Sequence, residues 1–254
     1  MTLRKERMIA VDKFWKFKTV KNKTGEDEES TENVLFLNGV IASESWWEDE
    51  ITPKMFRDEL EKYSGDITVF INSPGGDCFA ASEIYTALKE HKGKVTVKIN
   101  GIAASAASVI AMAGDMVEMS PTSLIMIHNP SMMLYGEASE LEQGIDFLNE
   151  VKESIINAYQ IKTGLSRSKI SHLMDAETWF NAHAAHDYGF CDRVLYTEDK
   201  DEDDEEKDTE NMVFDKTTMV TNTIAAMRKK LKPIKPKETG VDAAQFEKRL
   251  ELIK

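Results

Sequence analysis

Ser105, His128 and the acidic residues Asp175 and Glu177 are the residue types from which a serine acyl-transfer site is built. A serine hydroxyl attacks a carbonyl once a neighbouring base takes its proton. A carboxylate orients that base and stabilises its charged form. A fourth segment, Ser73-Pro74-Gly75-Gly76, offers backbone amides with no side chain in the way, suited to a developing oxyanion. Each segment alone has a plainer reading. Pro-Gly-Gly after a strand is commonly a simple turn, and a histidine at the edge of a buried strand is commonly structural. The four together, in the order amide donors, nucleophile, base and acid, describe one site. The order Ser, His, acid differs from the three common hydrolase orders, but geometry rather than chain order defines such a site.

The serine lies in the run Gly101-Ile102-Ala103-Ala104-Ser105-Ala106-Ala107. Small neighbours let the backbone bend tightly and leave the hydroxyl reachable at a helix start, where unsatisfied amides and the helix dipole favour negative charge. The competing reading is close helix packing, with Ser105 as an N-cap. Ser108, one turn further on, reads as packing. His128 closes the apolar run Leu124 to Ile127, just before Asn129-Pro130. The other histidines, His91, His172, His183 and His186, fall on helical segments with polar neighbours. A serine–lysine dyad is chemically allowed, yet no lysine lies near the serine or histidine segment.

The elements that must position these groups alternate between strand and helix. Phe14 to Lys18 reads as a short strand and Asn22 to Glu32 as a polar loop. Val34 to Ile41 is an apolar strand, and Pro53 opens a helix to about Tyr63 with Thr52 as its cap. Ile67 to Ile71 is a buried strand, followed by the glycine turn and a helix from about Cys78 to His91. Val95 to Ile99, Met116 to Met119 and Ser123 to Ile127 are further strands, with a helix from Ser105 to Ala113 among them. This alternation predicts an α/β fold with a largely parallel sheet. From Glu137 to Lys162 the period changes: Leu141, Ile145, Leu148, Val151, Ile155 and Tyr159 form one apolar stripe on a long amphipathic helix. Gly164 suits its end and Ser166 caps the next helix toward Met174. The stripe serves core packing and contact with another subunit equally well. Arg193 to Tyr196 is the last strand, and Ala243 to Ile253 is one helix in the tail.

Charge divides the 254 residues. The total is −13, but Glu198 to Glu210 carries −8, Asn211 to Lys254 carries +5, Met1 to Asn33 carries +1 and the body between carries −11. A body that acidic is a poor binder of phosphate backbones, so nucleic acid is not expected as a partner. The expected organisation is an N-terminal segment 1–33, a catalytic domain 34–197 and a charged C-terminal extension 198–254. No apolar run suits a bilayer or a signal peptide, and Cys78 and Cys191 make neither a disulfide framework nor a metal cluster. A cytoplasmic protein without membrane association, metal or cofactor is expected. No Gly-x-x-x-x-Gly-Lys-[Ser/Thr] phosphate loop is present, so ATP hydrolysis is not expected of this chain.

With these segments in place, the chain resembles the Clp protease proteolytic-subunit (ClpP, peptidase S14) family of serine endopeptidases over about Val34 to Leu195. The resemblance rests on Ile71-Asn72-Ser73-Pro74-Gly75-Gly76, Ala103-Ala104-Ser105 with Ala113-Gly114, Met126-Ile127-His128-Asn129-Pro130, and Tyr188-Gly189 with Asp192. It implies a ClpP/crotonase-like α/β fold with a long protruding helix and a catalytic Ser105 and His128. It further implies an oxyanion hole from the amides of Gly76 and Ala106. Ring homo-oligomers, joined by the long helix around an enclosed chamber, are implied as well. Spacing back from Tyr188-Gly189 puts Glu177 where the family carries an aspartate, with Asp175 two residues away as competitor. The two residues after the serine, commonly methionine and glycine in the family, are both alanine here.

The Asn-Gly-Ile-Ala-Ala-Ser start, the Glu-Thr-Trp segment and the charged extension are most similar to ClpP-type proteases of tailed phages and prophages. That similarity implies prohead maturation, with capsid or scaffold proteins as partners. The alternative is a proteolytic subunit working with a Clp ATPase. An enoyl-CoA hydratase-like enzyme on the same fold and a non-catalytic scaffold protein are the remaining rivals.

Overall fold

The computed structural model describes residues 13–23, 29–42 and 53–197. The expected cap Thr52, the acidic run 198–210 and the tail helix 243–253 lie outside the described residues.

Among the described residues eight strands form one sheet. They are β1 (Trp15–Lys23), β2 (Glu29–Ile41), β3 (Ile67–Gly76), β4 (Val95–Ala104), β5 (Met116–Met119), β6 (Leu124–Ile127), β7 (Thr178–Asn181) and β8 (Arg193–Val194). The helices are α1 (Pro53–Leu60), α2 (Cys78–Lys89), α3 (Ala106–Ala111), α4 (Ala138–Thr163), α5 (Arg167–Asp175) and α6 (Ala182–Asp187). The main path of the sheet runs β1-β2-β3-β4-β5-β8, and β6 pairs with both β4 and β7. All pairings are parallel except β1 with β2 and β6 with β7, so the expected largely parallel α/β sheet is present.

Strand residues rich in Val, Ile and Phe suit a pleated, half-buried surface. Alternate positions, Leu35 and Leu37, Val69 and Ile71, Val97 and Ile99, Val117 and Met119, are closed to solvent and form the core. Helix α2 adds Ala80, Ala81, Ile84 and Leu88, and α3 adds Ile110 and Ala111. At the β1 edge, Phe14, Trp15 and Phe56 pack edge to face. At the other edge a charged ladder crosses three strands: Glu118, buried, pairs with Lys98 and Arg193 on its neighbours.

Several elements are longer or shorter than the pattern predicts. The expected loop from Asn22 to Glu32 gives way to pairing at both its ends, because β1 continues to Lys23 and β2 starts at Glu29, with Asn22 beside Ser30; residues 24–28 lie outside the described residues. Polar residues mask strands at a sheet edge, where one side faces water. Strand β3 does not stop at Ile71 but carries Ser73-Pro74-Gly75-Gly76 along the sheet, paired to Val40 and Ile41 after a register shift. The glycines are therefore extended strand rather than a turn. Their φ values of 94° and 150° leave the ordinary β region, which the sequence pattern cannot reveal. Strand β4 likewise runs on to Ala104, and α3 is only Ala106–Ala111.

Helix α4 runs from Ala138 to Thr163, within a residue of expectation. Glu137 and Glu140 form a capping box at its start, and Gly164, at φ 70°, closes its end. Ser166 caps α5 by accepting from the Lys169 amide. Of the apolar stripe of α4, Tyr159 is buried and Leu148, Val151 and Ile155 are half-buried, while Ile156 beside the stripe is buried as well. At the start of the stripe Leu141 and Ile145 are 43% and 60% exposed, while Phe147, off the stripe and 48% exposed, stacks on Phe79.

Candidate active site

Strand β4 changes partner along its length, and this change builds the site. Its first half pairs with β5, and from Ile102 to Ala104 it pairs with β6, with Ala104 beside Met126. Ser105 follows directly, and its amide donates to the Met126 carbonyl at 2.9 Å. His128 sits just past the end of β6. The two strand ends thus deliver Ser105 Oγ to 2.7 Å from His128 Nε2, a direct hydrogen bond between residues 23 apart in sequence.

The backbone at Ser105 has φ 54° and ψ −127°, a conformation that L side chains rarely adopt. It marks a sharp turn from strand into α3 that lifts the hydroxyl out of the sheet. Strain of this kind costs about 1–3 kcal/mol and persists only where the surroundings over-determine it. Ser105 makes no side-chain cap bond to α3, so the N-cap reading of its hydroxyl does not hold.

The glycine segment lies against this turn. A Cβ on Gly75 would sit 2.5 Å from the Ala104 carbonyl oxygen, 2.7 Å from Ser105 Cβ and 3.0 Å from the Ala106 amide nitrogen. A Cβ on Gly76 would sit 2.0 Å from the Ile41 carbonyl oxygen. Both glycines are required by close approach of backbone to backbone. Ser73 holds the segment, its hydroxyl donating to the Gly39 carbonyl at 2.6 Å and accepting from the Gly75 amide at 3.1 Å. Gly76, Ser105, Ala106 and His128 line a cavity of about 90 Å³ together with Cys78, Val109, Pro130, Ser131, Ile155 and Tyr159. Burial pushes the Cys78 thiol up from its ordinary value, which disfavours thiolate chemistry there.

The two acidic candidates occupy different surroundings. Strand β7 pairs antiparallel with β6, and Ile127 stands beside Thr178 at the end of the ladder. His128 and Glu177 are the residues immediately beyond that pair. Glu177 turns into the strand at φ 49°, with its amide on the Met174 carbonyl. Asp175 instead ends α5 and takes its hydrogen bonds from Lys152 Nζ at 2.6 Å and Asn129 Nδ2 at 2.9 Å. Those bonds, the lysine's first, hold its carboxyl below the usual carboxylate range. Of the other histidines, His91 bonds the Gly65 carbonyl and His186 lies beside Asp187, away from the cavity lining.

Sequence reasoning passed over two groups. Ser108 is buried, but its hydroxyl donates to the Ser105 carbonyl at 2.6 Å and lies 2.8 Å from the Tyr159 hydroxyl. Tyr159 looked like the last member of an apolar stripe. Its hydroxyl was the available signal, since a buried phenol normally finds a partner.

A hydroxyl on an imidazole nitrogen, at a strained strand-to-helix turn beside glycine backbone, is the arrangement of a serine hydrolase in an α/β sheet. The comparisons with known proteins give the particular lineage. The Clp protease family model matches residues 27–198, and the chain belongs to that family. It is 31% identical over 185 residues to the ATP-dependent Clp protease proteolytic subunit 1 of Chlamydia abortus, covering 68% of this chain and 96% of that one. It is 34% identical over 132 residues to the ATP-dependent Clp protease proteolytic subunit of Bacteroides fragilis, covering 51% of this chain and 64% of the relative. The protein is a serine endopeptidase of the Clp type acting on polypeptide substrates. Among the described residues no helix is long and apolar enough to cross a membrane.

Proposed function

We propose that Ser105 is the nucleophile of this peptidase, His128 its general base and Glu177 the carboxylate that orients His128, with the amides of Gly76 and Ala106 as the oxyanion hole. The observation that carries the reading is the 2.7 Å hydrogen bond between Ser105 Oγ and His128 Nε2. In the acylation step the serine oxygen attacks the peptide carbonyl as Nε2 takes its proton, and the amine leaves with that proton. Water then attacks the acyl ester by the same base, releasing the acid and restoring the serine. The oxyanion formed in each step carries the charge that backbone donors stabilise best in a water-poor site.

Glu177 is favoured over Asp175 by position. It adjoins the end of the β6–β7 ladder beside His128, whereas Asp175 is occupied by Lys152 and Asn129. Among the described residues no carboxylate lines the cavity, which argues against the enoyl-CoA hydratase-like alternative, whose chemistry uses carboxylates on a thioester. The non-catalytic scaffold reading leaves the strained Ser105 backbone and its bond to His128 without a purpose.

The working form is a homo-oligomeric ring in which the exposed half of the α4 stripe meets another subunit. Leu141 and Ile145, four residues apart on one face, are 43% and 60% exposed, an apolar face of the kind that marks an interaction surface. The biological setting is a cytoplasmic one, prohead maturation, with capsid or scaffold proteins as substrates or partners. The charged extension, which begins where the family match ends, supports that setting. Work with a Clp ATPase is the second reading, favoured by the names of both relatives. Degradation of an unfolded protein, with and without a Clp ATPase and ATP, separates them: strict dependence on the ATPase selects the second reading.

A further inference from the structure

The peptide group that joins Ser105 to Ala106 carries the carbonyl of one residue and the amide of the other. The group is planar and trans, so its N–H and C=O point in opposite directions, and fixing one aims the other. The carbonyl is gripped twice from within the fold. The Ser108 amide donates to it at 2.9 Å and the Ser108 hydroxyl at 2.6 Å. The Ser108 hydroxyl has a single proton, committed to that carbonyl, so in its 2.8 Å contact with Tyr159 it is the acceptor and the phenol is the donor. The result is a directed chain, Tyr159 O–H to Ser108 Oγ–H to Ser105 C=O.

We propose that Tyr159 and Ser108 are positioning residues for the oxyanion hole, holding the Ser105–Ala106 peptide plane so that the Ala106 N–H points at the reacting carbonyl. The proposal rests on the roles given above to Ser105 and Ala106.

The strained backbone gives the chain its purpose. At φ 54° and ψ −127° Ser105 is held in a conformation it does not favour, and rotation of the following peptide plane, which carries ψ toward the left-handed α region, is the direct way to relieve it. Such a rotation withdraws the Ala106 N–H and turns a carbonyl oxygen toward the place where negative charge develops. Two donors on that carbonyl oppose the rotation, and donors in series polarise one another in a low-dielectric interior. Both side chains are closed to solvent, Ser108 at 0% and Tyr159 at 1%, so water does not replace either bond. Burial also pushes the Tyr159 phenol well above its ordinary pKa, keeping the proton on which the chain depends. The Tyr159 ring is located independently of its hydroxyl, edge-on to Phe190 at 5.6 Å, so the hydroxyl is removable without losing the ring packing.

The test compares Tyr159→Phe, Ser108→Ala and the double variant with wild type in the full chain. Turnover of a fluorogenic peptide is measured beside the affinity of a peptide boronate, which forms a tetrahedral adduct on the serine. Melting temperature and oligomer mass are followed alongside. The expected result is a fall in kcat of about tenfold or more, smaller than removal of an oxyanion donor outright, with KM almost unchanged. Boronate affinity should fall in parallel with kcat/KM, and the double variant should be no worse than the worse single one, because the groups act in series. Turnover within about twofold of wild type in both single variants, boronate affinity that stays constant while kcat falls, or losses that multiply in the double variant would each overturn the proposal. If Ser108→Ala does not assemble, Tyr159→Phe decides alone, since it removes one oxygen atom and no packing. Wild type that neither hydrolyses peptide nor binds the boronate through Ser105 defeats the parent reading instead. Active wild type with unaltered variants defeats only this inference.

Discussion

Ser105 and His128 stand in direct hydrogen-bond contact, 2.7 Å from Oγ to Nε2, because the strands that end at them run parallel with Ala104 beside Met126. The pairing of β4 with β6 does the positioning. Neither residue depends on a flexible loop, so the contact is a property of the sheet. Ser105→Ala and His128→Ala should each lower peptide hydrolysis by at least about a thousandfold, with far-UV circular dichroism unchanged. Members of such a pair act as a unit, so the double variant should be little worse than either single one. Additive losses in a fluorogenic peptide assay would separate the two residues into independent roles.

Glu177→Gln keeps the side-chain shape but removes the charge that stabilises an imidazolium, and should lower kcat by about a hundredfold or more. Asp175→Asn should be nearly neutral for kcat, because that carboxylate is engaged by Lys152 and Asn129 at the surface. The reverse ranking in steady-state kinetics would transfer the orienting role to Asp175.

Gly76→Ala drives a Cβ to within 2.0 Å of the Ile41 carbonyl oxygen, a backbone atom with nowhere to go. A loss of about 3 kcal/mol or more of stability is expected, together with loss of activity. Gly39→Ala is the control: its Cβ meets nothing within 4 Å, so only the strain of φ 85° remains. Urea unfolding of the two variants should therefore differ clearly, with Gly76→Ala the less stable.

Ile145→Glu places a charge in the exposed half of the α4 stripe, where Ile145 is 60% open and contributes little to the core of its own chain. The oligomer mass from light scattering should fall, and activity with it, while secondary structure is kept. Leu148→Glu, at a half-buried position on the same stripe, should have the same effect with a larger loss of stability. A fully active monomeric wild type would contradict the ring assembly.

A chain ending at Thr197 should fold and cleave a short peptide, since the family match stops at residue 198 and every residue proposed for the site lies before it. Loss of short-peptide cleavage in that truncation, measured against the full chain, would assign the extension a part in folding or catalysis.

Much of this was legible in the residue pattern because the informative segments obey strong local rules. Helix α4 announced itself through steps of three and four, an αL glycine at its end and a serine cap on its successor. The strands that carry the core showed runs of Val, Ile and Phe. The pairing of Ser105 with His128 was legible from the set of residue types and from the family resemblance but from no local pattern, since the pairing of β4 with β6 is a long-range register. Backbone conformation hid the rest. Gly75 and Gly76 read as a turn but are extended strand, because glycine signals permission for an unusual φ without saying which one. Strand β7, four residues with mixed burial, left no periodic trace, although its ladder with β6 ends one residue short of both Glu177 and His128. The Ser108–Tyr159 chain was obscured for a different reason: a small polar residue and an aromatic one at core positions both satisfy a packing pattern.

The central claim, an activated serine at position 105, is tested most directly by reaction with a fluorophosphonate probe followed by mass mapping of the labelled peptide. The account predicts a single adduct on Ser105, lost in Ser105→Ala and strongly reduced in His128→Ala, with peptide hydrolysis disappearing as the label accumulates. A peptidase that stays fully active while Ser105 remains unlabelled, or whose label maps to another serine, would contradict it.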